Sequence, residues 1–213
     1  MKLEYVLPAD IERRSFEIIE SELDRKIPPE IKPVVMRVIH TTADFDYLDN
    51  LYFSQDVMDT AIKAIESHAV FVTDTNMAMA GSNKPALARH GCTCECFMAD
   101  TDIAETAKQN GTTRATASVD KAAALGKSVI YAVGNAPTAL IRLTELIESG
   151  EFHPALVIGV PVGFVNVVQS KEMLIGSGIP CIVARGRKGG SNVAAAICNA
   201  LLYLADKKAD SGA

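Results

Sequence analysis

Of the four histidines in this chain, His40 stands where an imidazole can do chemistry. It ends an apolar helical stretch and is followed by Thr41-Thr42-Ala43-Asp44. Imidazole gives or takes a proton near neutral pH, with an ordinary pKa of about 6.5. Arg37 lies three positions earlier, so on a helix both side chains share one face. A cation there favours the neutral imidazole and can hold an anionic substrate against it. A histidine satisfied at a helix end fits the same pattern, and both readings stay open. Pairing His40 with Ser15 suggests a hydrolase only weakly, because the Gly-x-Ser-x-Gly elbow is missing.

A second set of residues suits anions. Gly134-Asn135-Ala136-Pro137-Thr138, Gly159-Val160-Pro161-Val162-Gly163 and Gly186-Arg187-Lys188-Gly189-Gly190-Ser191 each follow an apolar run and precede a helical one. Asn135 can cap its helix and Pro137 can occupy the first turn. Backbone N–H groups at such helix starts attract carboxylate or phosphate, and Arg187 and Lys188 add two cations. Neither a Walker loop nor a Gly-x-Gly-x-x-Gly fingerprint is present, so ATP and NAD have no specific support. Ordinary strand–helix turns are the competing reading. Asp74, at a strand end, is either a functional carboxylate or a turn residue. Arg114 is either an anion anchor or a solvated helix start. Cys92, Cys94 and Cys96 share one face of an extended strand, with His90 nearby. Structural zinc sites favour two-residue spacers, and a buried strand face explains this row equally well; no metal is assigned.

Helices and parallel strands must position these groups. An apolar stripe predicts a helix from Pro8 to Asp24, broken by Pro28-Pro29. A second helix reaches His40. Ser54 is read as the N-cap of a third, Gln55 to Ser67. Ala69–Val72 and Thr93–Met98 read as strands, with Met77 to Leu87 unassigned between them. Helices at Asp102–Gln109 and Ala115–Leu125 precede three strand–loop–helix units whose strands begin at Val129, Leu156 and Cys181. Strands joined by helices run parallel, so their loops emerge at one sheet edge, where open α/β folds bind ligands. The fold class is α/β: a single three-layer domain (1–206) with a mostly parallel central sheet, helices on both faces and N-terminal helices folding over the sheet edge. Residues 207–213 are read as a frayed tail.

Composition narrows the function. The 213 residues are 48% hydrophobic, enough for one aliphatic core without tryptophan. A net charge of -5 argues against nucleic acid. No apolar run reaches the ~20 residues that span a bilayer. The start, Met1-Lys2-Leu3-Glu4, does not read as a signal peptide. Five cysteines then suggest reduced thiols and a cytoplasmic setting.

Longer stretches are more specific than any of these patterns. Glu12-Arg13-Arg14-Ser15-Phe16, the run from Arg37 through His40 to Tyr47, and the three glycine-marked loops with their following helices together resemble the precorrin-8 methylmutase family of corrinoid biosynthesis. The likeness runs from about Tyr5 to the last helix. Thr41-Thr42-Ala43-Asp44-Phe45-Asp46 and Thr73-Asp74-Thr75 are most similar to the cobalt-precorrin-8 branch. Gln169 departs from the glutamate often found there. The resemblance implies an isomerase that moves a methyl group from ring carbon 11 to carbon 12 of cobalt-precorrin-8, giving cobyrinate. It implies His40 as general acid and substrate contacts at Ser15, Arg37 and Arg114; the glycine-marked loops add Asn135, Gly163, Lys188 and Ser191 as further expected contacts for the substrate's carboxylate arms. It also implies a homodimer and no cofactor, since cobalt arrives inside the substrate. A non-catalytic corrinoid carrier and an α/β enzyme acting on a phosphorylated metabolite are the alternatives.

Overall fold

The computed structural model describes residues 3–211. A 3-10 turn at Pro8–Asp10 leads into α1 (Ile11–Glu22) and α2 (Lys32–Thr42), then α3 (Tyr47–Asn50) and strand β1 (Leu51–Phe53). α4 (Val57–Glu66) precedes β2 (Val70–Thr73), which is followed by α5 (Asn76–Gly81), α6 (Lys84–Arg89) and β3 (Thr93–Glu95). After α7 (Thr101–Gln109) and α8 (Arg114–Ala123) come β4 (Val129–Val133), α9 (Pro137–Glu148), β5 (Leu156–Gly159), α10 (Val167–Gly176), β6 (Cys181–Ala184) and α11 (Ser191–Ser211).

The six strands form one sheet in the order β1-β6-β5-β4-β2-β3, all parallel except β1. Period-two alternation divides the strand residues between two apolar layers. Val129, Tyr131 and Val133 face α7 to α10, while Ile130 and Ala132 face the layer of α4, α5, α11 and the N-terminal helices. Strands buried on both faces need apolar residues at every position, as in Val129–Val133. Each buried leucine or isoleucine adds roughly 1.5–3 kcal/mol. Alanines let α11 pack closely in its layer; a Cβ at Gly81 of α5 would stand 2.9 Å from Ala195 Cβ. α2 packs on α11, and reaches the sheet edge through its C-terminal end.

The elements differ from expectation in several places: α3 and β1 are unexpected, and of the expected strand Thr93–Met98 only Thr93–Glu95 is strand, with a 3-10 turn at Phe97–Ala99. Ser54 caps no helix: its N–H and Oγ bond the Cys181 carbonyl and N–H, extending the pairing of β1 with β6. α4 begins two residues beyond the expected start, after Asp56 in left-handed conformation. Residues 77–87 fall largely in two short helices, capped by the Thr75 and Asn83 side chains. α11 continues through Ser211, so the stretch from Lys207 is helical rather than frayed up to that point; residues 212–213 of the expected tail lie outside the described residues. Among the described residues, no helix is long and apolar enough to cross a membrane.

From β2 the chain steps outward to β3, then returns to β4 on the other side of β2. This reversal opens a crevice at the strands' C-terminal ends, where doubly wound sheets bind ligands.

Candidate active site

The crevice between β2 and β4 already holds an anion. Asp74, just past β2, accepts hydrogen bonds from the N–H groups of Gly134 (2.8 Å), Asn135 (2.8 Å) and Ala136 (2.7 Å). These amides belong to the loop that leads into α9, with Ala136 at its cap position. The expectation that they await a ligand is therefore corrected: a carboxylate from β2 fills the place. Asn135 does not cap α9 either; Ala136 occupies the cap position and the Asn135 side chain is exposed. Burial pushes the Asp74 carboxyl up from its ordinary range, opposed by the three N–H donors. Asp74 is neither of the things its sequence position suggested. It is the partner of a helix terminus on a different strand, a pairing that no local pattern reveals.

The remaining loops interlock beside it. Gly163 N–H donates to the Arg187 carbonyl (3.1 Å) and Gly190 N–H to that of Val160 (2.9 Å). A Cβ at Gly189 would stand 2.1 Å from the Val160 oxygen, so glycine is required there. Ser191, at the start of α11, bonds the Thr75 hydroxyl (2.8 Å). Beneath the β6 loop lies Lys171 of α10, fully buried, donating to the Gly186 and Lys188 carbonyls at 2.8 Å each. Burial pushes its pKa down to about 8. Nothing in Gln169-Ser170-Lys171 marks this lysine as internal; Gln169, the departure noted above, is exposed on the same helix.

Lys188 was expected to meet substrate. Its Nζ instead donates to Asp44 and Asp46, both at 2.6 Å. The bond from Lys188 draws the Asp44 carboxyl below its ordinary range, and both carboxylates raise the lysine's pKa. This bridge ties the end of α2 to the β6 loop.

His40 occupies the last turn of α2, which Ala43 closes in left-handed conformation with its N–H on the Ile39 carbonyl (2.7 Å). The half-buried imidazole lies 5.1 Å from the Phe16 ring. It opens into a hollow of about 360 Å³ lined also by Ser15, Ile19, Glu22, Ala43 and Phe45. His40 and Ser15 thus share one space. Ser15 Oγ donates to the Ile11 carbonyl (2.8 Å), and no hydrogen bond joins it to His40 among the described residues. That leaves Ser15 a polar wall rather than an activated nucleophile.

Arg37 does not join them. Its guanidinium bonds Glu12 and lies between two rings, 5.0 Å from the Phe16 centroid and 4.9 Å from that of Tyr203. It lines a different groove, about 590 Å³, between α1, α2 and α11. Arg37 and His40 thus line different hollows, and the partner the structure gives Arg37 is Glu12. Arg114 is exposed at the first position of α8; the preceding Thr113 caps that helix and meets Thr138 Oγ1 of α9 at 3.1 Å, which sets Arg114 beside the β4 loop. The cysteines turn to local partners: Cys92 to the Ile65 carbonyl and Cys94 to Ser82. His90 bonds Asp206 at 2.9 Å.

Besides Lys171, the exposed apolar residues of the β5 loop went unread in the sequence. Phe164 and Val165, in the β5 loop, are 79% and 78% exposed, and the Arg187 guanidinium lies 5.3 Å over the Phe164 ring. The edge therefore presents exposed apolar faces and the cations Arg114 and Arg187, while the His40 hollow is lined by α1, α2 and Phe45 and is linked to the edge through the bridge from Lys188 to Asp44 and Asp46. That combination suits a large, partly apolar polyanion better than a nucleotide.

Known proteins agree. The family described as Precorrin-8X methylmutase matches residues 10–204. A cobalt-precorrin-8 methylmutase of Priestia megaterium is 45% identical over 202 residues, covering 94% of this chain and 90% of the relative. One from Salmonella typhimurium is 46% identical over 206 residues, covering 92% and 95%. The crystal structure of a precorrin-8X methylmutase from Thermus thermophilus superposes with a TM-score of 0.87 at 40% identity, covering 94% of this chain and 97% of that one. With fold and sequence in agreement over nearly its whole length, the chain belongs to the precorrin-8X methylmutase family, enzymes that move a methyl group within one molecule.

Proposed function

We propose that this methylmutase acts on cobalt-precorrin-8, moving the methyl group from ring carbon 11 to carbon 12 to give cobyrinate, with His40 as general acid. The observation that carries the assignment of His40 is its position: an imidazole opening into a hollow at the end of α2, on a helix bridged by Lys188 to the loops of the sheet edge. A methyl shift within one ring system needs no nucleophile. It needs the ring in the tautomer from which migration can occur. Donation of one proton by His40 to the macrocycle favours that tautomer, and general acid catalysis of this kind is worth about 10²–10⁴-fold. Ser15 lines the same space, and its oxygen can still accept a hydrogen bond from substrate. Arg114 and Arg187 are exposed and placed to meet carboxylate arms, and Phe164 and Val165 to meet the ring. Holding a rigid ring by several arms is a proximity effect. Asn135, Gly163 and Ser191 shape the loops beneath.

Cobalt as part of the substrate rests on the names of the Priestia and Salmonella relatives. We also take the working form to be a cytoplasmic homodimer; exposed Leu3, Tyr5 and Leu7 offer apolar surface for a partner copy. Against the phosphorylated-metabolite alternative, Asp74 already takes the three β4-loop amides before α9.

The test is incubation with cobalt-precorrin-8 and with its metal-free form, following the visible spectrum. Conversion to cobyrinate is expected, and His40→Ala should slow it by about 10²–10⁴-fold while leaving product affinity near that of the unsubstituted protein. Binding without conversion would make the chain a carrier. Full activity of His40→Ala would remove the histidine from the mechanism.

A further inference from the structure

We infer that Lys171 is a positioning residue: from inside the fold it holds the β6 loop so that Lys188 can pin the end of α2, and with it His40. This rests on the reading of His40 given above.

The chain of contacts is continuous. Lys171 is fully buried in α10, and its ammonium meets two carbonyls of one loop, those of Gly186 and Lys188, at 2.8 Å each. The second belongs to the residue whose own side chain reaches Asp44 and Asp46 at 2.6 Å. Asp44 follows Ala43, the left-handed residue that closes α2 one turn after His40. Asp44 Oδ1 also accepts the Asp46 N–H (3.0 Å), so both carboxylates belong to one ordered turn. On the loop side, Gly190 N–H is held by Val160 and Gly189 admits no side chain, so the backbone that Lys171 grips has little freedom elsewhere. The Lys188 ion pairs themselves are largely exposed, with 45% of the Lys188 side chain open to water. Exposed pairs contribute little to stability. A burial as unfavourable as that of Lys171, spent on a loop whose outward charge stabilises little, is explained if the loop's task is geometric.

The device predicts a split between stability and rate. Displacing a reacting group by about 1 Å can cost as much as 10²-fold. Asp44→Asn/Asp46→Asn and Lys188→Met should each melt close to the unsubstituted protein yet lose about tenfold or more in kcat, with KM changed less. Lys171→Met should lose a similar factor. Because Lys171 acts through Lys188, the Lys171→Met/Lys188→Met pair should lose no more than the larger single loss, rather than the product of the two. The His40 ring signals in an imidazole NMR spectrum should shift in all four variants, and that readout needs no turnover. If Lys171→Met fails to fold, the surface variants still decide. Unmoved His40 signals, unchanged kcat in a folded variant or multiplying losses would overturn the inference. Failure of the unsubstituted protein to convert cobalt-precorrin-8 would count against the proposed function instead, leaving the NMR result to judge the latch.

Discussion

Replacing Asp74 with asparagine tests the most unexpected contact at the sheet edge. One oxygen of the carboxylate accepts Gly134 N–H and the other accepts those of Asn135 and Ala136. An asparagine keeps one acceptor and turns an NH2 donor toward the remaining N–H groups. In either orientation one or two donors lose their partner, at about 1–3 kcal/mol each. The start of α9 also loses a negative charge, worth about 0.3–1 kcal/mol and up to ~2 when partly buried. Relief of the burial that raises the Asp74 pKa offsets part of this loss. The net destabilisation is therefore about 2–4 kcal/mol, a substantial share of the 5–15 kcal/mol typical of a folded domain. For a chain of this size that lowers the melting midpoint by roughly 5–15 °C. Urea unfolding measures the energy, and amide exchange at Gly134, Asn135 and Ala136 locates it. Asp74→Ala adds a sharper test: with the internal anion gone, formate or phosphate in the buffer should bind at the start of α9 and restore part of the stability. An asparagine variant as stable as the parent, with unchanged exchange at those three amides, would refute the account of Asp74.

Lys171 makes stability depend on pH. Its pKa falls from 10.5 to about 8 on folding, so between those values the unfolded chain binds more protons than the native one and stability rises with pH. The rise is up to about 3 kcal/mol across the window and is absent below it, where both states are protonated; urea midpoints measured from pH 7 to 10 should show it, and Lys171→Met should remove it. Gly189→Ala should destabilise by about 3 kcal/mol or more, because its Cβ would meet the Val160 carbonyl 2.1 Å away and the backbone there has a φ of +155°; a melting midpoint equal to the parent's would contradict the packing of the β5 and β6 loops.

What was legible in the sequence is what short-range periodicity encodes. Val129–Val133, Leu156–Gly159 and Cys181–Ala184 announce themselves as strands because a parallel strand between two helical layers is apolar at every position. Their glycine-ended loops follow from the same logic, so the edge at which the loops gather is readable before any partner is known. β1 is not readable: three half-buried residues carry too little alternation, and the residue that extends its pairing, Ser54, looks like a helix cap. The same boundary runs through the candidate site. His40 is recognisable from its residue type and its helix, but the contacts that place it are long-range. Lys188 reaches Asp44 and Asp46, Lys171 reaches Lys188, and Asp74 reaches across from β2 to the start of α9. Each joins charges or donors from separate elements, so nothing local separates the lysine that binds substrate from one that holds the protein's own backbone. Cations beside glycine-rich loops in such sheets read as ligand contacts by default, and here both Lys188 and the donors of α9 are answered by carboxylates of the same chain. Arg114 and Arg187 are left exposed at this edge, and they are the cations proposed above to meet the substrate's carboxylates.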